Sequence, residues 1–272
     1  MPDFQSQFNT KKQIVFLGRK ISFMDVIPSD LKYKTPIFIA PGWGETPKTF
    51  SYLASLLFDA GFRVISVKHP REDFKLITKH NISKLEEQKA EIILSIFNFL
   101  SIDKVNLIAH SEGAINAVLA AHVTPSKFRD ILLVGPGGLV ENEGFLELLG
   151  RFVGNMFQNG WAIFTDSTAR KHLIRSNIEV LKYFLMNPIM GLLEGSAISK
   201  THLQKFLIDL HKDDISIGII HGVDDVVFPL KKMRALRELN WIDFHSVPGD
   251  HNDIYAHPSN YVEILEKRFK RI

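Results

Sequence analysis

A serine with the surroundings of a nucleophile stands at position 111. It lies in the segment 109–113, which follows the apolar run 105–108 and precedes the small-residue run 114–121. This pattern predicts a sharp turn from a strand into a helix, which is tolerated only where the residues two positions before and after the serine are small. The backbone N–H groups at the start of that helix would favour a developing oxyanion. Ser111 is therefore a candidate nucleophile, and the alternative is that its hydroxyl only caps the helix.

A serine hydroxyl needs a base to take its proton and an acid to orient that base. Candidates follow two later apolar runs: Asp224 and Asp225 come after residues 215–220, and His251 comes after residues 242–247. The order serine, aspartate, histidine, with each member just past a predicted strand of one sheet, would bring the three side chains together. Both aspartates remain candidates for the acid, and either could instead bind N–H groups within its own turn.

The composition indicates a folded protein with a large core. The chain has 272 residues, of which 45% are hydrophobic, and its 33 basic and 30 acidic side chains give a formal net charge of +3. A chain of this length and apolar content can bury enough surface for one large domain, or for a domain that carries an insertion. The charges are spread along the sequence, so we expect no nucleic-acid partner.

Several features bear on location. Cysteine is absent, which excludes disulfides, thiolate nucleophiles and cysteine-ligated metals, and which fits a reducing, cytoplasmic compartment. The polar N-terminus has no signal-peptide pattern. The apolar run 92–100 is far shorter than the roughly 20 residues that cross a bilayer. We expect a cytoplasmic protein without stable membrane insertion.

The order of the predicted elements indicates an α/β fold. Two short strands over residues 13–27 precede an alternation of strands and helices, which predicts a mostly parallel central sheet with helices on both faces. The alternation stops between residues 138 and 212, where helical patterns continue without a convincing strand. We expect residues 1–137 and 213–272 to form the core domain and residues 138–212 to form an inserted helical cap, or lid.

These elements and motifs resemble the α/β-hydrolase fold family over nearly the whole chain. In that family the acid usually lies three residues after a glycine and four before a proline, which favours Asp225 over Asp224 through Gly222 and Pro229. The family's histidine matches His251, which completes a Ser-Asp-His triad with a serine at the nucleophile elbow.

The resemblance also implies an oxyanion hole. The loop after the predicted strand at 36–40 would donate one backbone N–H, and the residue after the serine the other, so the donors would be Trp43 and Glu112. Many members have His-Gly where this chain has Pro41-Gly42, which leaves a backbone role intact.

At residues 68–72, many cap-bearing members have an aspartate and several glycines, and this chain does not. This departure prevents assignment to a named subfamily. His69 and Arg71 are expected to be solvated loop residues, although they could line the mouth of the site.

The resemblance implies a serine hydrolase that cleaves carboxylic esters through an acyl-enzyme intermediate. Its partner would be a small-molecule acyl ester, and no cofactor or metal would be needed. A thioesterase or a C–C bond hydrolase using the same triad is an alternative, because fold and triad do not fix the leaving group. A catalytically silent protein that binds a ligand or a partner is an alternative of a different class, and the oligomeric state is unknown.

The cap is expected to select the substrate. Its apolar content suggests a pocket for an apolar acyl or aromatic group, lined by Phe145, Phe152, Met156, Phe157 and Trp161. The alternative is that these side chains form ordinary core between helices and sheet.

Other features have structural interpretations. His110 and His221 are expected to pack or hydrogen-bond rather than to act in chemistry. Residues 135–138 form a glycine-rich turn that lacks dinucleotide-binding spacing. Residues 266–271 form the charged end of a helix.

Overall fold

The structure is a computed structural model that describes residues 3–70, 78–79, 82–140, 143–233, 236 and 239–270. Its strands, in chain order, are β1 (Lys12–Phe16), β2 (Arg19–Val26), β3 (Tyr33–Ala40), β4 (Phe62–Lys68), β5 (Thr78–Lys79), β6 (Ile82–Ser83), β7 (Val105–His110), β8 (Phe128–Val134), β9 (Ser216–Gly222) and β10 (Asp243–Val247). Its helices are α1 (Phe4–Asn9), α2 (Ser51–Asp59), α3 (Lys84–Phe99), α4 (Gly113–Val123), α5 (Phe145–Thr165), α6 (Arg170–Met186), α7 (Pro188–Lys200), α8 (Gln204–Lys212), α9 (Asp253–Ala256) and α10 (Ser259–Phe269).

Eight strands form one sheet in the order β1-β2-β4-β3-β7-β8-β9-β10, and β5 pairs with β6 separately. The pairs β1–β2 and β2–β4 are antiparallel, whereas all pairs from β4 through β3, β7, β8 and β9 to β10 are parallel. The predicted α/β class with a mostly parallel sheet is confirmed. Parallel strands bring their carboxyl ends to one edge, which is where the candidate site residues were expected.

Both faces of the sheet are covered by helices. On β3, Ile37 and Ile39 join a core cluster that includes side chains of α2 and α10. The alternate residues Phe38 and Ala40 join a second cluster, which includes side chains of α3 and α4. Successive residues of a strand point to opposite faces, so a strand buried on both sides reads as a continuous apolar run.

Four consecutive helices, α5 to α8, lie between β8 and β9; we refer to them as the four-helix segment. Contacts of this segment with the core include Phe152 and Phe184 against Trp43 in the loop after β3. In addition, Arg175 of α6 donates to the Ser51 hydroxyl at 2.9 Å. The segment therefore packs against residues that follow the carboxyl end of β3. The division into core and cap at residues 138 and 212 stays a prediction.

Some predicted elements differ in detail. The sequence pattern of residues 229–240 predicts a helix, but the structure has a 3-10 turn at Leu230–Met233, and part of the remainder lies outside the described residues. Helix α1 was not predicted. It begins at a side-chain cap in which Asp3 accepts from the Ser6 N–H at 2.8 Å, and this hydrogen bond stabilises the first turn. So short a helix gives only a weak hydrophobic pattern in the sequence.

Arg268 of α10 connects the last helix to three strands. Its guanidinium donates to Asp130 of β8 at 2.7 Å, to Asp243 of β10 at 2.8 Å and to Ser216 of β9 at 2.8 Å. The group lies directly over Gly218, where a methyl group would stand 2.5 Å from Arg268 Nη1. Burial raises the pKa of Asp130, and the opposing charge of Arg268 only partly offsets this rise. The arginine therefore compensates a carboxylate that water does not solvate well.

We predict that Arg268→Met lowers the free energy of unfolding by about 3–5 kcal/mol, because it leaves Asp130 buried without its cation. The matched control is Lys267→Met, which removes an exposed pair with Glu263 and should leave the free energy of unfolding nearly unchanged. Urea unfolding of both variants measures the difference. Equal losses would contradict the role assigned to Arg268.

Candidate active site

Ser111 has the backbone conformation that the sequence pattern requires. It lies between β7 and α4 with a φ of +54°, in the left-handed region that strains a residue with a side chain. Two hydrogen bonds hold it there: the Ser111 N–H donates to the Val134 carbonyl at 3.1 Å, and the Gly137 N–H donates to the Ser111 carbonyl at 3.0 Å. The predicted sharp turn is therefore present, and it is fixed by the end of β8.

Two glycines let the chain pass close to Ser111. A methyl group at Gly113 would lie 2.7 Å from the carbonyl oxygen of Pro41, and one at Gly42 would lie 2.7 Å from Ser111 Cβ. Real Cβ atoms are not found so close to other heavy atoms. The requirement for a small residue two positions after the serine thus has a specific cause, which is contact with the loop after β3.

The structure brings Asp225, and not Asp224, to His251. Asp225 Oδ2 lies 2.8 Å from His251 Nδ1, and Oδ1 accepts from the Phe228 N–H at 2.9 Å. Asp225 and His251 are both buried, whereas Asp224 is exposed. Burial raises the pKa of Asp225, but the charge and hydrogen bond of His251 outweigh it, so the net pKa is lowered. Because a carboxylate only accepts, His251 Nδ1 carries a hydrogen, and Nε2 is the ring nitrogen that can act as a base in the neutral tautomer.

The turn after β8 connects Ser111 with this pair. Gly137 bonds to Ser111, and a methyl group at Gly135 would lie 3.0 Å from His251 Nδ1 and 3.1 Å from Asp225 Oδ2. The glycine-rich turn expected at residues 135–138 is present, and its close approach to the pair was not anticipated. The Ser111 hydroxyl makes no hydrogen bond with a described residue. Contacts of this kind are often long before substrate binds.

The two predicted oxyanion donors lie in the loop after β3 and directly after Ser111. Trp43 lies in the loop after β3, and Glu112 lies at the start of α4. Neither backbone N–H donates to another described residue, so both remain available to a ligand. Both residues are buried, so water would screen the electrostatic interactions of these donors only weakly.

The sequence interpretation missed an acidic side chain in the same loop, Glu45. Its carboxylate accepts from the Gly42 N–H at 2.5 Å and contacts His110 Nδ1 at 2.8 Å. His110 Nε2 donates to the His251 carbonyl at 2.9 Å. Both ring nitrogens therefore face acceptors, which is the arrangement of a protonated imidazole. Burial lowers the pKa of His110, and Glu45 outweighs it, so the pKa is raised. These contacts give His110 a packing and hydrogen-bonding role, as expected, and they link the loop after β3 to His251.

A second missed cluster surrounds Lys89 of α3. Lys89 Nζ forms buried ion pairs with Glu112, with Glu194 of α7 at 2.7 Å and with Glu86 at 3.6 Å, and Tyr183 of α6 donates to Glu194. Burial, partly offset by Lys89, raises the pKa of Glu112 to about 8 and that of Glu194 to about 7. Burial lowers the pKa of Lys89, and the neighbouring carboxylates more than reverse this effect. One ammonium therefore balances several carboxyl groups beside Ser111.

The predicted apolar pocket needs correction. Phe152 lies 4.5 Å from Trp43 between ring centroids, and Phe145 and Met156 are partly buried, but Phe157 is 76% exposed and Trp161 is 70% exposed. Phe157 and Trp161 therefore face away from the site. Helix α5 has apolar residues on both sides, so composition could not tell which side faces the core.

Two further histidines differ in their surroundings. His69 was expected to be solvated, but both of its ring nitrogens are buried and have no hydrogen-bond partner among the described residues. Arg71 lies outside the described residues. His221 is buried, and its Nε2 is 3.9 Å from Asp225 Oδ2, too far for a hydrogen bond. Burial lowers the pKa of His221, which is consistent with the structural role expected for it.

Across the described ranges, no group of three or more histidine, aspartate or glutamate side chains is placed to hold a metal ion. Within the same ranges, every helix is too short or too polar to cross a bilayer.

No protein-family model matches the sequence. The chain is 26% identical over 202 residues to 2-hydroxy-6-oxo-6-phenylhexa-2,4-dienoate hydrolase of Comamonas testosteroni, an alignment that covers 71% of this chain. The chain spans only 64% of that relative's length.

Solved structures resemble the whole chain. An esterase of Exiguobacterium antarcticum superimposes with a TM-score of 0.71 at 17% identity, covering 92% of this chain and 96% of the esterase. An alpha/beta hydrolase enzyme from a Medee basin deep-sea metagenome library superimposes with a TM-score of 0.70 at 13% identity, covering 96% and 98%. At these identities the likeness is one of fold.

We predict that Glu45→Gln destabilises the protein most at mildly acidic pH. The raised pKa of His110 means that its paired, charged form stabilises the fold fully below the ordinary histidine pKa of 6.5. This contribution is lost as the pH rises through the folded-state pKa. We expect a loss of about 1.5–3 kcal/mol at acidic pH, typical of a hydrogen bond to a charged group, and a smaller loss at alkaline pH.

Urea unfolding of the wild type and of Glu45→Gln at several pH values measures this effect. Glu263→Gln serves as the control, because it removes an exposed pair with Lys267. A loss for Glu45→Gln that is constant or grows with pH would show that His110 is not charged in the fold.

Proposed function

The chain has the α/β-hydrolase fold, and on that premise we propose that the protein is a serine hydrolase that cleaves carboxylic esters through an acyl-enzyme intermediate. One observation carries the proposal. A serine strained at +54° stands at the end of a central strand, and the turn that holds it also lies against a buried Asp225–His251 pair of 2.8 Å. A serine that merely caps a helix needs neither the strain nor the pair.

The chemistry assigns one role to each side chain. His251 Nε2 takes the Ser111 proton as the serine oxygen forms a bond to the acyl carbon, and the carbonyl electrons move onto the oxygen. The tetrahedral species then collapses, and the alcohol leaves with the proton from His251. Water repeats the sequence on the acyl-enzyme, which releases the acid and restores Ser111.

Asp225 orients the imidazole and stabilises its charged form without taking the proton itself. Its lowered pKa supports this role, because the carboxylate stays ionised at neutral pH. The backbone N–H groups of Trp43 and Glu112 would bind the oxyanion. Each such donor contributes roughly 3–4 kcal/mol to transition-state stabilisation.

The substrate's apolar part would lie among Trp43, Phe152 and Phe184, whose rings pack together between the oxyanion loop and the four-helix segment. Phe145 also belongs to this group, because it lies close to Gly195 on α7, which in turn contacts Trp43. We propose that the four-helix segment acts as a cap over Ser111 and selects the acyl group. A cytoplasmic location remains a prediction.

Hydrolysis of a C–C bond is the second candidate. The relative from Comamonas testosteroni is named for a 6-oxo dienoate substrate, and such a compound has a ketone but no ester bond. The same triad and oxyanion donors can serve this reaction. An assay with esters and with 6-oxo dienoates separates the two candidates, and binding without turnover of either would favour the silent alternative.

We predict that a fluorophosphonate modifies the wild type stoichiometrically at Ser111 and that Ser111→Ala abolishes both labelling and turnover of short aryl esters. The reason is that only a serine activated by a base reacts readily with this reagent. Intact-protein mass spectrometry measures the labelling, and the melting temperature checks folding. Undiminished ester turnover by folded Ser111→Ala would overturn the assignment.

We predict that Asp225→Asn lowers kcat by about 10⁴-fold, because the amide favours the wrong histidine tautomer. Asp224→Asn is the matched control at the neighbouring position and should stay within a few-fold of the wild type, since Asp224 is exposed. Steady-state kinetics on an aryl ester compare the two variants. The reverse ranking would assign the acid to Asp224.

A further inference from the structure

A small cavity lies beside the proposed oxyanion hole, with Glu112 in its lining. It has a volume of about 20 Å³, and its lining includes Gly42, His69, Lys89, Glu112, Tyr183 and Glu194. Gly42 lies against Ser111 in the fold, and Glu112 follows Ser111 in the sequence. A cavity of this size holds one water molecule, so a hydroxyl group fits it.

His69 supplies an unused hydrogen-bonding pair in this cavity. Both ring nitrogens are buried without a hydrogen-bond partner among the described residues. Burial and the charge of Lys89 hold the pKa of His69 well below its usual range, so the ring is neutral. A neutral imidazole has one N–H donor and one acceptor nitrogen. Leaving such groups unpaired in the interior is unfavourable, and a ligand that both donates and accepts would remove this cost.

The charges around the cavity also favour a neutral group. Lys89 lies close enough to His69 to lower its pKa, so a cation beside His69 would be repelled. The ammonium of Lys89 is already paired with Glu86, Glu112 and Glu194, so it offers no unpaired positive charge to an anion. A hydroxyl group carries no charge and can occupy the place of a water while making the same hydrogen bonds.

We propose that this cavity is a binding site for a hydroxyl group of the ester substrate, with His69 as the residue that recognises it. The inference rests on the proposed function and narrows its substrate class to hydroxyl-bearing esters. Because Gly42 and Glu112 line the cavity and also adjoin Ser111, a hydroxyl group in the cavity would lie near the reacting carbonyl. This hydroxyl can belong to the acyl part or to the alcohol part of the ester, because either part would present the same hydroxyl group to the cavity.

The test compares esters that differ only by a hydroxyl group in place of a methyl group. For the acyl part the pair is nitrophenyl β-hydroxybutyrate and nitrophenyl isovalerate. For the alcohol part the pair is hydroxyethyl butyrate and propyl butyrate. We expect the wild type to prefer the hydroxylated member of one pair by at least about tenfold in kcat/KM, because a site built to bind a hydroxyl rejects the analogue that lacks it.

Variants at position 69 assign the preference. His69→Leu should reduce it to within about twofold, whereas His69→Gln, which keeps a donor and an acceptor, should retain most of it. His202→Leu is the matched control, because His202 is exposed and lies on a different surface of the protein. Fluorophosphonate labelling of Ser111 in every variant reports whether the triad remains assembled.

The outcomes are distinct. Labelling at Ser111 with no preference in either substrate pair would overturn this inference and leave the proposed function standing. A preference that survives in labelled His69→Leu would also overturn it, since the hydroxyl would then be bound elsewhere. Absence of labelling and turnover in the wild type would overturn the proposed function and this inference with it.

Discussion

The site depends on one strained backbone position. Ser111 adopts a left-handed conformation that costs of the order of 1–3 kcal/mol and persists only where the surroundings determine it. Here the determinants are the hydrogen bonds to Val134 and Gly137 and the close contact of Gly113 with the loop after β3. The strain is therefore balanced by the packing of three neighbouring parallel strands. It would not survive in an isolated strand and helix.

The residues on either side of Ser111 each belong to a buried charged network. His110 pairs with Glu45 and bonds to the His251 carbonyl, which joins the loop after β3 to the loop that carries His251. Glu112 pairs with Lys89, which also holds Glu194 on α7. Buried pairs of this kind contribute little net stability but are costly to break. Their effect is to hold loops from distant parts of the chain in one arrangement around the serine.

The four-helix segment contributes apolar and polar groups to the same region. Phe152 and Phe184 pack on Trp43, and Gly195 permits α7 to approach Trp43 closely. Tyr183 and Glu194 reach the Lys89 network. An ester with an apolar chain and a nearby hydroxyl would thus meet complementary surroundings on both sides. The proposed substrate class follows from this division between apolar and polar surroundings, since the triad itself does not select a leaving group.

The sequence by itself determined the fold class, the elbow and the order of the three candidate site residues. These features are local: strand runs, small residues around Ser111, and polar residues just after strands. The sequence alone did not decide whether Asp224 or Asp225 is the acid until a family resemblance was used. It also could not tell the inner from the outer face of α5, where Phe157 and Trp161 proved exposed. Glu45 and Lys89 gave no signal, because their roles come from partners more than 20 residues away in sequence, such as His110 and Glu112. His69 was expected in a solvated loop, and the burial of its ring nitrogens could not be read from the sequence. Only tertiary packing brings such groups together, and burial then changes their charge and their hydrogen-bonding needs.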